Sequence, residues 1–223
     1  MTVLLFPLYI YPADGGEPWL PVVEASEKYP ALKMLMVVNP SNGPGTKVDQ
    51  NYLSAIGKLA SAGVPMAGYV YTKYGARPQS EVEADVLSWS QLHPEVKSLF
   101  VDNMANKPGF EQYYSAITAY ARSLGYTLVV GNPGAAIPRS YSGTVDVAVI
   151  YEHGGFPPSL SRLDPYGWYG SSPSSFGMLV HDAPALDVQF LGQAATVCGY
   201  VGVTESYHAI PPYFDQLAAL LST

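Results

Sequence analysis

Eight short runs of apolar, β-favouring residues recur along the chain, each ending in a polar residue at a turn: 4–11, 34–39, 66–72, 99–102, 127–132, 145–152, 178–181 and 197–204. Between most of them lies a helical pattern or a Gly/Pro-rich stretch long enough for a crossover, which parallel strands require and hairpins do not. The runs ending at Asp102 and Glu152 are apolar nearly throughout, as strands covered on both faces are. This alternation predicts an α/β protein with eight parallel strands, enough to close a (β/α)8 TIM-type barrel. A chain of 223 residues suits one such barrel, with 1–223 forming a single catalytic-type domain.

The spacing predicts helices over 51–62, 81–92, 108–124 and 212–221. The second opens on a capping-box sequence, Ser80-Glu-Val-Glu83. The third carries Phe110, Tyr113, Tyr114, Ile117, Tyr120 and Ala121 at helical spacing, with Gly125 as its stop. The segment 154–175 is rich in Gly, Pro, Ser and aromatics instead. It predicts a long loop over the barrel mouth in place of a full sixth helix.

Composition then narrows the function. The chain is 48% hydrophobic and 13% charged, and no apolar stretch approaches the roughly 20 residues of a membrane span, so none is expected. No signal-peptide pattern precedes the first run, which leads to the expectation of a cytoplasmic or already trimmed chain. The single cysteine, Cys198, cannot form an internal disulfide and reads as a core residue. A net charge of −7 and a pI near 4.9 argue against nucleic acid and favour a neutral or cationic ligand. Many of the 18 tyrosines fall where loops are expected, and rings with a polar tip suit the faces of sugars.

In a parallel barrel the loops after the strand ends build the site. The residues there are Tyr9, Tyr11, Asn39, Tyr71, Thr72, Asp102, Asn103, Asn132, Glu152, His181, Thr204 and Glu205. Two carboxylates across the mouth, Asp102 and Glu152, are the minimum equipment for cleaving a glycoside. The plainer reading is that a strand-end acid caps a helix or pairs with Arg77. His181 suits a sugar contact or a proton carrier, or a structural role. No His/Asp/Glu cluster has metal-ligand spacing, Gly43-Pro-Gly45 lacks a phosphate-loop ending, and no GxSxG elbow occurs, so no metal or cofactor is expected.

Several motifs in consistent order, Pro7-Leu-Tyr-Ile-Tyr-Pro12, Val38-Asn-Pro-Ser-Asn-Gly-Pro-Gly45, Gly68-Tyr-Val-Tyr-Thr-Lys-Tyr-Gly-Ala-Arg-Pro78 and Val130-Gly-Asn-Pro-Gly134 with Tyr151-Glu152, resemble the spherulin 4 (spherulation-specific family 4) proteins. The resemblance spans most of the chain and weakens after about residue 158. It implies a (β/α)8 glycoside hydrolase of the family 135 type, whose fungal relatives cleave a galactosamine-containing polysaccharide by endo attack and are usually secreted. On that analogy Asp102 and Glu152 take the essential acidic positions, and Tyr9, Asn39, Tyr71, Arg77 and Asn132 line the groove. Those hydrolases carry Asp-Glu where this chain has Asp102-Asn103; Glu152 or Glu205 would then supply the missing acid. An Asn bonds a hydroxyl but cannot shuttle a proton, so the alternative is a sugar-binding protein without turnover.

Overall fold

The computed structural model describes residues 2–223. Eight strands, β1 (Val3–Leu8), β2 (Lys33–Val38), β3 (Met66–Tyr71), β4 (Ser98–Asp102), β5 (Leu128–Asn132), β6 (Val147–Gly154), β7 (Phe176–His181) and β8 (Tyr200–Val203), pair in chain order. All pairings are parallel, and β8 returns to β1, closing the predicted barrel.

The helices around it are the turn α1 (Ala13–Gly16), α2 (Leu20–Lys28), α3 (Gln50–Ser61), α4 (Gln79–Leu92), α5 (Glu111–Ser123), the single turn α6 (Leu160–Leu163), α7 (Val188–Ala194) and α8 (Phe214–Leu221). Past Gly154, the last residue of β6, the segment 154–175 holds only α6 and two 3-10 turns, as its composition predicts. Only a 3-10 turn, Arg139–Tyr141, joins β5 to β6. Among the described residues no helix is long and apolar enough to cross a membrane.

The predicted capping box is not made. Pro78 is the N-cap of α4, two residues earlier than the expected Ser80, and its extended ψ starts the helix at Gln79. Glu83 is thereby drawn into an i,i+4 bond from the Gln79 side chain.

Side-chain alternation sorts the strands into two cores. Leu5, Leu35, Val37, Ala67, Tyr69, Phe100, Val130, Val147, Val149 and Leu179 fill the barrel interior, while the other parity packs under the helices. Gly202 is where the interior is tightest: a Cβ there would stand 2.1 Å from the Leu5 carbonyl oxygen and 2.5 Å from Leu179. Gly202→Ala is therefore expected to lower stability by about 3 kcal/mol, as a forced backbone shift does, read from its urea midpoint.

His93, just after α4, is 1% exposed, tilts on Trp89 at 5.5 Å and has an unpartnered Nδ1. Burial lowers its pKa against a smaller opposing pull from Glu95. The unfolded chain then binds the proton more readily, so stability present above about pH 6.5 falls as pH drops below it. His93→Phe is expected to flatten that part of the curve of unfolding free energy against pH.

Candidate active site

The same alternation aims the polar strand ends at the mouth. In β4 and β5, Phe100 and Val130 point inward, so Asp102 and Asn132, two residues on, do too; the register sets Tyr71, Asp102 and Asn132 side by side. In β6 the pattern runs the wrong way: with Val147 and Val149 inside, simple alternation would turn Glu152 out. A β-bulge between Val149 and Tyr151 shifts the pairing by one residue. Ile150 and Tyr151 join the outer core, and Glu152 is re-aimed into the mouth, a known use of bulges beside functional sites.

The two carboxylates meet on one side chain. Asn132, 3% exposed, donates from its Nδ2 to Asp102 Oδ1 at 2.7 Å and to Glu152 Oε2 at 2.6 Å. The Gly134 amide donates to Asn132 Oδ1 at 3.0 Å and so fixes which end of the side-chain amide faces the acids. Asp102 Oδ2 accepts from the Tyr69 hydroxyl at 2.6 Å and from Asn103 Nδ2 at 2.9 Å. Glu152 Oε1 accepts from the Tyr207 hydroxyl at 2.6 Å.

Tyr9 completes the floor, with its ring 5.8 Å from that of Tyr69 and 5.6 Å from that of Tyr207. The phenols of Tyr9, Tyr69 and Tyr207 are all pushed up, first by burial and then by the nearby Asp102 and Glu152. All three therefore stay protonated over any working pH and face the acids as neutral hydroxyls.

Asn103 lies just beyond β4 at φ +51°. Alternation no longer applies there, and the left-handed backbone, which Asn tolerates better than most residues, turns its amide back onto Asp102. Next to it the strained pair Lys73 and Tyr74, both left-handed, is held by the Tyr74 N–H donating to the Asn103 carbonyl at 2.6 Å. His181 bonds Asp182 through Nδ1 at 2.8 Å, and its ring lies 5.6 Å from that of Tyr207.

The remaining candidates stand apart from the acids. Asn39 accepts from the Gly43 amide and shapes the loop after β2. Arg77 pairs with Asp85 and Glu81 and donates to the Tyr71 carbonyl, not to either strand-end acid. With Tyr71 it lines a side cleft of about 340 Å³ whose other wall is the loop 41–46. Glu205 is exposed, near Tyr213.

Tyr69 and Tyr207 were missed by a reading of strand ends alone. Tyr69 is recoverable from parity, sharing the inward face with Tyr71. Tyr207 lies in the loop after β8, where no periodicity marks it. A separate cavity of about 490 Å³ sits at the opposite end of the barrel, among Val3, Lys33, Ser98, Leu128 and Tyr200, away from both acids.

Fold and mouth together define a TIM-type barrel with a bridged two-carboxylate centre at the carboxyl ends of its strands. The chain belongs to the Spherulation-specific family 4, which it matches over residues 3–221. Spherulin-4 of Physarum polycephalum is 34% identical over 174 residues, covering 77% of this chain and 50% of the relative. The chain thus spans about half the length of that curated protein. The crystal structure of Aspergillus clavatus Sph3 in complex with GalNAc superposes with a TM-score of 0.86 at 25% identity, covering 100% of this chain and 98% of that one. A family 10 endo-β-1,4-xylanase, at 10% identity and TM-score 0.57 over 100% of this chain and 96% of that one, shares the fold alone.

Proposed function

We propose that the protein is a glycoside hydrolase acting within an amino-sugar-containing, galactosamine-rich polysaccharide, with residues 1–223 as one catalytic-type barrel. The observation that carries this reading is the single Asn132 amide shared by Asp102 and Glu152. Each bridged oxygen lies within 2.7 Å of the same nitrogen, so the two stand no further apart than twice that distance. This fits the roughly 5 Å spacing of retaining glycosidases better than the roughly 6.5–9.5 Å of inverting ones. Asp102 is then the nucleophile and Glu152 the general acid. Tyr9, Asn103 and His181 contact the sugar at the cut and Asn132 serves it from beneath, by holding the two acids, while Tyr71 leads toward Asn39 and Arg77; Glu205 is a peripheral contact.

The GalNAc bound by Sph3 supports a hexosamine in this mouth. The acidic charge of the chain supports a partly deacetylated, cationic polymer. Release of reducing ends from a galactosamine-rich polysaccharide, measured beside calorimetric binding, tests the reading; binding and product together are expected. Binding without product would favour the second reading, a spherulin 4-like sugar-binding protein without turnover. That reading draws on Asn103, whose amide occupies Asp102 Oδ2 and cannot shuttle a proton.

A further inference from the structure

Asp102 and Glu152 offer four oxygens, and what faces each oxygen differs in kind. Asp102 Oδ1 and Glu152 Oε2 face the Asn132 amide, and Asp102 Oδ2 faces the Asn103 amide as well as the Tyr69 hydroxyl. An amide N–H only donates, so the amide facing each of these three oxygens offers no acceptor to a proton placed there. Asn132 cannot turn its carbonyl to them without losing the Gly134 amide.

Glu152 Oε1 is the exception: among the described residues, its partner is the Tyr207 hydroxyl alone. A hydroxyl accepts as readily as it donates. We propose that Tyr207 is the positioning residue of the acid, turning its O–H away to accept the proton that Glu152 holds on Oε1 and turning it back to donate once that proton has gone. The inference rests on the hydrolase reading and deepens it, because it gives the acid role to Glu152 by hydrogen-bond capacity.

In the cutting step the Oε1 proton passes to the glycosidic oxygen, which keeps the electron pair of its broken bond to the anomeric carbon. An Asp102 oxygen forms the new bond to that carbon, and Glu152 is left a carboxylate. Water then gives one proton back to Glu152 and its hydroxyl to the sugar, releasing Asp102. Tyr207 is suited to both states because it stays neutral and its ring is gripped between Tyr9 and His181. The ionisable groups facing it are Glu152 and Asp102, the imidazole of His181 with Asp182 behind it, and the phenol of Tyr9.

Tyr207→Phe tests the inference. A charge-assisted bond to the carboxylate is stronger than one to the neutral acid, so its loss favours protonated Glu152. The alkaline limb of the kcat profile is expected to move up by about one pH unit, with kcat at least tenfold lower and KM within about threefold. Tyr69→Phe, which removes a donor from Asp102 instead, is expected to move the acid limb.

An alkaline limb that stays in place in Tyr207→Phe, in a variant with unchanged melting temperature, overturns the inference. A carbon-13 titration of the Glu152 carboxyl in both proteins reads the same shift without turnover. If the wild type cuts no glycan, the hydrolase reading fails, and this titration alone decides whether Tyr207 governs the Glu152 proton: an unmoved signal overturns it, and an upward shift in the variant sustains it.

Discussion

Glu152→Gln is expected to reduce kcat on a galactosamine-rich polysaccharide by about 10³-fold, the usual size of general acid catalysis, while KM changes by no more than a few fold. The reasoning is isosteric. The glutamine carbonyl accepts from Asn132 in place of Oε2, and its NH2 donates to Tyr207, so both native contacts of Glu152 survive with only the proton source gone. Asp102→Asn lacks that tolerance. With its carbonyl on Asn132, its NH2 would oppose the Asn103 amide that now donates to Oδ2, so a loss of thermal stability should accompany the loss of turnover. Steady-state kinetics on both variants, each with a melting curve, separates the two behaviours. Unchanged turnover in Glu152→Gln would remove Glu152 from the mechanism.

Asn132→Asp carries the second large effect. Asn132 is buried and is the shared donor to two acids; an aspartate there sets three carboxylates against one another with the donor removed. A charge buried without a partner costs about 3 kcal/mol or more. The folded variant relieves it by taking up a proton, so its added carboxyl titrates higher folded than unfolded. The variant is therefore nearest wild-type stability in acid and loses ground as pH rises through that folded value. Urea unfolding at about pH 4 and pH 7 should show the deficit mainly at pH 7. An equal deficit at both would mean that Asn132 acts through the Gly134 turn alone and not through charge.

The barrel was legible because its signal is repetitive: eight apolar runs separated by crossover-length segments leave few other parallel folds. Asp102 and Asn132 were legible for the same reason, being polar ends of strands whose inward parity never breaks. Glu152 was singled out by its place at a run end, yet strict alternation from Val147 would have faced it outward. The bulge that corrects its direction is a matter of pairing with β7 and leaves no local mark.

Other elements depended on contacts distant in the chain. β1 stops at Leu8 and β8 starts only at Tyr200, because the apolar residues flanking them pack in turns: Ile10 accepts from the Trp19 indole, and Cys198 donates its N–H to Ala194 at the end of α7. Helix α2, with Pro21 in its first turn, gave no run of helical spacing long enough to read. The plainer reading pairs Arg77 with a strand-end acid, but Asp85, nearly two helical turns into α4, holds it in the side cleft. Tyr207 belongs to a loop, where sequence position says least about direction.

The most direct measurement is proton NMR of the anomeric signals while the wild-type protein cuts a galactosamine-rich oligosaccharide of known linkage. With the Asp102 and Glu152 oxygens bridged by one amide, the first reducing end to appear should keep the configuration of the bond that was cut, and mutarotate only later. A first product of opposite configuration, or no product from a substrate that binds, would contradict the assignment of Asp102 as nucleophile and Glu152 as acid.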